Sequence, residues 1–265
     1  MDVLQLVVLA VVQGITEFLP ISSSGHLVLV PLLTDWPDQG LLIDVAVHVG
    51  SLGAVVVYLA RDLREMLAGT FRRGGGLMGQ PGRRLVVLVI VATVPVVVAG
   101  AAVAGAMDML RRLDVIGWTM LVFGVALWLA DQRCRADRPL AALGLGGALV
   151  IGCAQVLALV PGTSRAGITM TAARILGLER TAAARFSMLL SIPTIAAAGL
   201  LLGLELVRLG ELALTRDAVV GGGLAFASAL IAIILMMRWL RHASFTPFVV
   251  YRVVLGAALL ALAYG

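Results

Sequence analysis

The sequence predicts an all-α integral membrane protein built as an inverted repeat, in which each half has a re-entrant broken helix pair plus three transmembrane helices. Composition supports this fold class, because 61% of the 265 residues are hydrophobic and only 13% are charged. Soluble domains carry about 25% charged residues. Apolar stretches long enough to span a bilayer also recur along the chain. No stretch resembles a soluble domain, so we expect a single polytopic membrane domain over residues 1–265.

Six apolar stretches are the candidate transmembrane helices. They cover residues 41–60, 85–106, 115–130, 186–207, 218–237 and 246–264. Most of them reach the roughly 20 residues that a spanning helix needs. The stretch 115–130 is short, but it contains no charged residue. We therefore expect all six to cross the membrane.

The distribution of arginine predicts the orientation of these helices. Residues 61–84 hold six arginines against two acidic residues, and loops of this kind face the cytoplasm. Alternating the spans from there places residues 107–114 and 208–217 outside. Membrane orientation accounts for the formal charge of +5, and we expect no nucleic-acid partner.

Two similar polar segments indicate the repeat. VVQGITEFLPISSSG (11–25) resembles CAQVLALVPGTSRAG (153–167), since each has Gln, an apolar run, Pro, a Ser/Thr-rich patch and Gly. Aligning the two prolines pairs Ser23 with Ser164. The common pattern predicts the same local structure in both segments.

Three spans follow each of these segments, and an odd number of spans gives the two halves opposite orientations. Repeat 1 is expected over about 1–135 and repeat 2 over about 139–265. Inverted repeats place binding sites near the middle of the bilayer, at the breaks in discontinuous helices.

Each break contains a proline, Pro20 or Pro161, that should end a helix at the preceding residue. Apolar helical segments follow SSSGH and GTSRAG, so both patches should lie at helix N-termini, where free N–H groups and the helix dipole attract anions. Arg165 adds a planar group suited to phosphate oxygens. Two such termini that meet from opposite leaflets would form one pocket, and its natural ligand is a phosphate or a diphosphate.

The polar residues at the first break have structural as well as functional interpretations. Ser22, Ser23 and Ser24 could simply cap a helix, and a lone His26 would more often be a buried, hydrogen-bonded histidine than a catalyst. Glu17 is harder to explain structurally, because a carboxylate in a membrane segment is costly and usually marks a site or a pathway.

Two arginines at membrane depth need partners. Arg165 should pair with Glu17 or with a bound anion, whereas Arg252 and Asp44 are expected to form a structural pair. Gln13 lies four residues before Glu17 on the same helical face. That spacing allows the amide oxygen and the carboxylate to coordinate one divalent cation, or allows Gln13 to hold Glu17 in place.

QGITEFLPISSSGH resembles the first signature of the undecaprenyl-diphosphate phosphatase family, also called the bacitracin-resistance family, and PGTSRAGIT resembles its second signature. The similarity extends along the whole chain and includes the pair Tyr251-Arg252. Three positions depart from the pattern: Gln13 is often Glu, Ala166 replaces a serine, and His48 stands in a variable position.

The resemblance implies hydrolysis of undecaprenyl diphosphate to undecaprenyl phosphate, which recycles the lipid carrier for peptidoglycan synthesis and confers bacitracin resistance. It implies a polyprenyl diphosphate lipid as substrate and a divalent cation, Mg²⁺ or Ca²⁺, as cofactor. It also implies a location in the bacterial cytoplasmic membrane, an active site that opens to the external side, and a homodimer.

Carried over to this chain, Glu17 and Gln13 would bind the metal, or Glu17 would serve as acid or base. Ser23 or His26 would handle the attack on phosphorus or activate water, and Arg165 would hold the diphosphate. The further residues expected to bind substrate are Ser22, Ser24, Gly162, Ser164 and Thr169.

Two mechanisms stay open at this point. A serine needs a neighbouring base to become a nucleophile, and His26 lies three residues beyond Ser23, so a phosphoserine intermediate is favoured. Water activated by His26 or Glu17 is the alternative. The rival function is a transporter, either a polyprenyl-phosphate flippase or a small-anion carrier, because inverted repeats with broken helices are common among transporters.

Overall fold

The computed structural model describes residues 2–34, 36–72, 74, 76, 78–103, 107–134, 137–210 and 215–265. Within these residues the fold is all-α, with no β-strand. The helices are α1 (Val3–Phe18), α2 (Ser23–Leu33), α3 (Leu41–Tyr58), α4 (Ala60–Phe71), α5 (Pro81–Val103), α6 (Leu113–Arg133), α7 (Leu145–Val156), α8 (Arg165–Ile175), α9 (Arg180–Leu209), α10 (Arg216–Leu240) and α11 (Thr246–Tyr264).

Six of the described helices are long and apolar enough to cross a membrane, namely α3, α5, α6, α9, α10 and α11. Each overlaps one of the six predicted stretches, so the predicted integral membrane fold is confirmed. Residues 104–106, at the end of the predicted stretch 85–106, and residues 211–214, in the predicted loop 208–217, lie outside the described residues.

The arginine-rich segment 61–84, which the sequence predicts only as a loop, contains the helix α4. Leu63 and Met66 pack against the hydrophobic core, while Arg61 is exposed. The helix lies close against the start of α5, where a Cβ atom at Gly82 would come within 1.9 Å of the Glu65 carbonyl oxygen. An amphipathic helix therefore covers this end of the bundle.

The element order repeats along the chain. Two short helices joined by an irregular turn, α1 and α2, precede the spans α3, α5 and α6, and a second such pair, α7 and α8, precedes α9, α10 and α11. Helix α4 has no counterpart among the described residues of the second half. The opposite orientation of the halves and their boundaries near residues 135 and 139 stay predictions.

Helix α8 lies at the centre of the bundle. Residues 166–174 are all buried, and the helix packs against α6, α7 and α9. Because α8 is enclosed on all sides, the side chains at its first turn are held in a fixed position.

A buried ion-pair cluster anchors the far end of α8. The Asp131 carboxylate of α6 lies 3.0 Å from Nε of Arg174 and 2.8 Å from Nε of Arg180, and it accepts a hydrogen bond from the backbone N–H of Phe245. Asp131 thus ties α8, α9 and the start of α11 to α6. Buried charges of this kind are tolerated because each has a partner.

Candidate active site

The two predicted helix breaks have the same local backbone structure. Ser22 and Ser164 precede α2 and α8, and they are the only described residues other than glycine with positive φ, at 76° and 71°. Their side-chain oxygens accept hydrogen bonds from the backbone N–H groups of Gly25 and Gly167, at 3.3 Å and 3.0 Å. Each serine therefore caps the helix that follows it, and the prediction that both patches lie at helix N-termini is confirmed.

This common geometry makes Ser22, and not Ser23, the counterpart of Ser164. The pairing of Ser23 with Ser164 that follows from aligning the prolines is wrong by one residue. Two residues separate Pro161 from Ser164, whereas only one separates Pro20 from Ser22. Ser23 is therefore the counterpart of Arg165, and each is the first residue of its helix.

The guanidinium of Arg252 joins the two turns. It donates to the carbonyl oxygens of Pro20 in the first turn, at 3.3 Å, and of Gly162 and Thr163 in the second, at 3.1 Å and 2.9 Å. It also donates to two carbonyls of α6. The side chain is fully buried, so its charge is compensated by backbone dipoles.

The expected pair of Arg252 with Asp44 does not form. The Asp44 carboxylate accepts a hydrogen bond of 2.8 Å from the amide nitrogen of Gln39, and the hydrogen-bond partners of Arg252 in the described part of the chain are all carbonyl oxygens. The carbonyls of two irregular turns need donors at this depth, and this need decides where the guanidinium goes.

The carboxylate of Glu17 is the point at which the two halves meet. Its Oε2 accepts hydrogen bonds from Oγ of Ser23, at 2.7 Å, and from Nε2 of Gln13, at 2.9 Å. Its Oε1 lies 3.1 Å from a guanidinium nitrogen of Arg165. Glu17 is therefore the partner that Arg165 requires, and of the two contacts considered for Gln13 the structure shows the one that holds Glu17 in place.

A cavity of about 270 Å³ opens beside this carboxylate. Five of the predicted site residues line it: Glu17, Ser23, Ser24, Ser164 and Arg165. The other walls are mainly apolar and come from α3, from α9 and from the turn before α8. The cavity therefore has polar side chains on one part of its wall and mainly apolar side chains on the rest.

His26 points away from this cavity. Its Nδ1 lies 2.6 Å from the carbonyl oxygen of Ser22, which can only accept, so in the neutral ring Nδ1 carries the proton. Its Nε2 lies 2.6 Å from the hydroxyl of Tyr251 and accepts from it. Both nitrogens are engaged, and the base that contacts the Ser23 hydroxyl is Glu17.

The remaining predicted residues do not line the cavity but lie next to residues that do. Thr169 is buried, with its hydroxyl 2.8 Å from Oγ of Ser187, and the Ser187 carbonyl in turn accepts from Arg165. Gly162 has a φ of 87°, and a Cβ atom there would lie 2.1 Å from Oγ1 of Thr119. These residues, together with the helix cap Ser22 and the buried Gln13, support the turns and the side chains that line the cavity.

Sequence reasoning did not assign two residues, His48 and Arg252, to the site. His48 lines the cavity together with Thr194, and Arg252 orders the turns from α11. The signal that could have identified His48 is a polar side chain inside the apolar stretch 41–60. Arg252 lies almost 90 residues from the nearer turn, so only the fold brings it there.

A second cavity of about 460 Å³ adjoins the first. The two share Ser24 and His48 in their walls, and the second is lined by Asp38, Asp44 and Arg111. We refer to this second cavity as the vestibule.

The sequence signature described as "Bacitracin resistance protein BacA" matches residues 6–258 of the chain. The chain belongs to this family. The match spans both turns and Arg252, so the BacA family shares the region in which the site is built. The resemblance recognised from the two motifs is confirmed.

Curated relatives agree with this assignment over the full length. A protein of Ruegeria pomeroyi named "Undecaprenyl-diphosphatase" is 52% identical over 266 residues, which cover all of both chains. Proteins with the same name from Jannaschia sp. and Chromohalobacter salexigens are 51% and 50% identical, over 266 and 261 residues. The alignment with the Chromohalobacter protein covers 98% of each chain.

We predict that Arg252→Lys destabilises the folded protein. Lysine has one compact donor group in place of the planar fork, so several buried carbonyls would lose their donor. The expected cost is about 3 kcal/mol, which corresponds to a fall in the unfolding midpoint of roughly 6–12 °C. Thermal unfolding in detergent measures it, with the exposed Arg238→Lys as control. Equal midpoints for the two variants would contradict the role given to Arg252.

Proposed function

We propose that the protein hydrolyses undecaprenyl diphosphate to undecaprenyl phosphate and inorganic phosphate, and thereby recycles a lipid carrier of cell-wall synthesis. The observation that carries the proposal is the convergence of Ser23, Glu17 and Arg165 on one cavity within a bundle of membrane helices. The relatives named undecaprenyl-diphosphatase, at about half identity over the full length, support it.

The cavity has the groups needed to hold the diphosphate. Arg165 offers guanidinium N–H groups, and the hydroxyls of Ser24 and Ser164 lie in the same wall. Helices α2 and α8 begin at the cavity, so their first-turn N–H groups and dipoles favour a negative charge. The apolar walls suit the prenyl chain.

The hydrogen bond between Ser23 and Glu17 supports Ser23 as the nucleophile. At 2.7 Å, the Ser23 hydroxyl is placed to give its proton to the carboxylate as Oγ attacks the terminal phosphorus. The bond from that phosphorus to the bridging oxygen breaks, and undecaprenyl phosphate leaves. Water then cleaves the phosphoserine, and Glu17 returns the proton to Oγ. Arg165 and the helix N-termini stabilise the charge on the equatorial oxygens.

His26 contributes by position in this scheme. Its ring links the Ser22 carbonyl to Tyr251 next to Arg252, so it fixes the turn from which Ser23 projects. The alternative in which His26 activates water at the phosphorus receives no support from its hydrogen bonds.

The residues at the cavity are compatible with a divalent cation shared with the substrate. A carboxylate and three serine hydroxyls are oxygen ligands of the kind that Mg²⁺ and Ca²⁺ prefer. No group of three His, Cys, Asp or Glu side chains that could hold a metal occurs among the described residues. We propose that Glu17 would hold such a cation, which would neutralise charge on the diphosphate when bound.

Gln13 enters this proposal through its amide. The nitrogen donates to Glu17, while the oxygen is buried and has no hydrogen-bond partner. In this orientation Gln13 holds the carboxylate that would bind the cation, and its own role as a ligand stays a prediction.

We propose that the site opens to the external face of the bacterial cell membrane. Helix α3 begins at the vestibule, which Asp44 in its first turn lines, and it ends next to the arginine-rich segment 61–84. The arginine-rich end is expected to face the cytoplasm, which places the vestibule on the opposite side. The homodimer stays a prediction.

Ser23→Ala should abolish catalysis and spare binding. We expect phosphate release from farnesyl diphosphate by the purified protein in detergent to fall at least about a thousandfold, since the nucleophile is lost. Binding of farnesyl diphosphate should persist, and Ser228→Ala, on the contact between α1 and α10 and outside the cavity lining, serves as control. Unchanged release would exclude Ser23 as nucleophile. A wild type that releases no phosphate but moves labelled lipid in liposomes would favour the transporter.

Arg165→Lys should lose most of the activity at an unchanged protein yield. The charge is kept, but the planar two-pronged donor is lost, and we expect phosphate release to fall about a hundredfold. The matched control is Arg61→Lys on the exposed side of α4. Equal activity of Arg165→Lys and wild type would remove Arg165 from the phosphate site.

Removal of divalent cations should stop the reaction. With excess EDTA we expect phosphate release to be lost, and added Mg²⁺ or Ca²⁺ should restore it. The measurement is phosphate release by the wild type before chelation, after chelation and after readdition. Release that persists in EDTA would show that neither Glu17 nor Gln13 is a metal ligand in catalysis.

A further inference from the structure

Among the described residues, His48 is the one histidine in the cavity wall. The chain has three histidines. His26 is bound to Tyr251, and His242 is exposed at the C-terminal end of α10. In the cavity wall, His48 and Glu17 are therefore the two side chains of the kinds that act as general bases.

Both oxygens of the Glu17 carboxylate are already hydrogen-bonded, and the proposed reaction has a second proton, that of the attacking water, to transfer. Both carboxylate oxygens have hydrogen-bond partners in Gln13, Ser23 and Arg165. In the first step of the proposed reaction the carboxylate takes the proton of Ser23. The water that later attacks the phosphorus also loses a proton, and that proton needs a different acceptor.

The hydrogen bond of His48 leaves a ring nitrogen available. Nδ1 lies 2.7 Å from the Asp44 carbonyl oxygen, which can only accept, so in the neutral ring Nδ1 carries the proton and Nε2 has a free lone pair. No hydrogen bond to Nε2 is made by any described residue. A backbone carbonyl on Nδ1 that leaves Nε2 free is a common arrangement for imidazoles that accept protons or bind ligands.

His48 also stands where a proton can leave. Its side chain lines both the cavity and the vestibule. The charged groups around it are Glu17 from α1, Arg165 from α8 and Asp44 on its own helix, with Asp38 and Arg111 farther out in the vestibule. His48 therefore lies between the cavity and the charged, polar vestibule.

We propose that His48 is a further catalytic residue, whose Nε2 accepts the proton of the water that releases inorganic phosphate. The inference rests on the proposed phosphatase function. The water oxygen forms a bond to phosphorus while the bond from phosphorus to the displaced oxygen breaks, and the water proton moves to Nε2. His48 then returns to its neutral form by giving the proton to water in the vestibule.

The test compares His48→Ala, His48→Gln and the control His242→Gln. Phosphate release from farnesyl diphosphate should fall about a hundredfold in both His48 variants, the usual size of a general-base contribution, while the control matches wild type. Added imidazole should raise the rate of phosphate release by His48→Ala at least about tenfold, because this variant leaves a space that imidazole can enter. It should leave His48→Gln unchanged, because the amide fills that space.

Rescue by imidazole separates a proton-transfer role from a structural one, since a misfolded variant does not respond to a free base. Wild-type rates in both His48 variants, or no rescue of His48→Ala by imidazole, overturn the assignment of His48. In those cases the wild type still releases phosphate, and the proposed function stands. A wild type that releases none overturns the proposed function, and the inference with it.

Discussion

The architecture of the site depends on a buried guanidinium that supplies hydrogen bonds to irregular backbone. Each turn interrupts a helix within a membrane bundle, where unpaired carbonyls cannot turn to water. Arg252 donates to carbonyls of both turns at once, so it satisfies the backbone and sets the distance between the turns. A carboxylate partner would have competed with those carbonyls, and the absence of such a partner among the described residues is consistent with this use.

The burial of the Glu17 carboxylate depends on the two turns being held close together. The carboxylate is stable in its buried position because donors from both halves converge on it: Ser23 from the first turn, Arg165 from the second, and Gln13 from its own helix. Since Ser23 and Arg165 are equivalent residues of similar turns, the repeat places a hydroxyl in one half and a guanidinium in the other, and both contact Glu17. The same local structure thus presents two different functional groups to one carboxylate.

The sequence was sufficient to predict features that depend on composition and local spacing. The six spans follow from length and hydropathy, and the two breaks follow from proline next to serine and glycine. The cost of an unpaired Arg165 predicted a partner, and Glu17 is that partner. Physical reasoning indicated a phosphate or diphosphate ligand, and only the family resemblance indicated undecaprenyl diphosphate as the substrate.

Other features could not be predicted because they depend on long-range geometry. The register of the turns is set by the backbone at Ser22 and Ser164, and the aligned prolines misplace it by one residue. The direction of His26 depends on Tyr251, which comes from the last helix. Arg252 was expected to form an ion pair with a carboxylate, but the packing of α11 places its guanidinium among backbone carbonyl groups instead.

The location of Arg252 on α11 has a consequence for how the protein is made. Helices enter the membrane in the order of their synthesis, and α11 follows every other helix described here. Until α11 is inserted, the carbonyl groups that Arg252 joins across the two turns lack this common donor. The last helix to be made therefore completes the hydrogen bonding of backbone that was made much earlier in the chain.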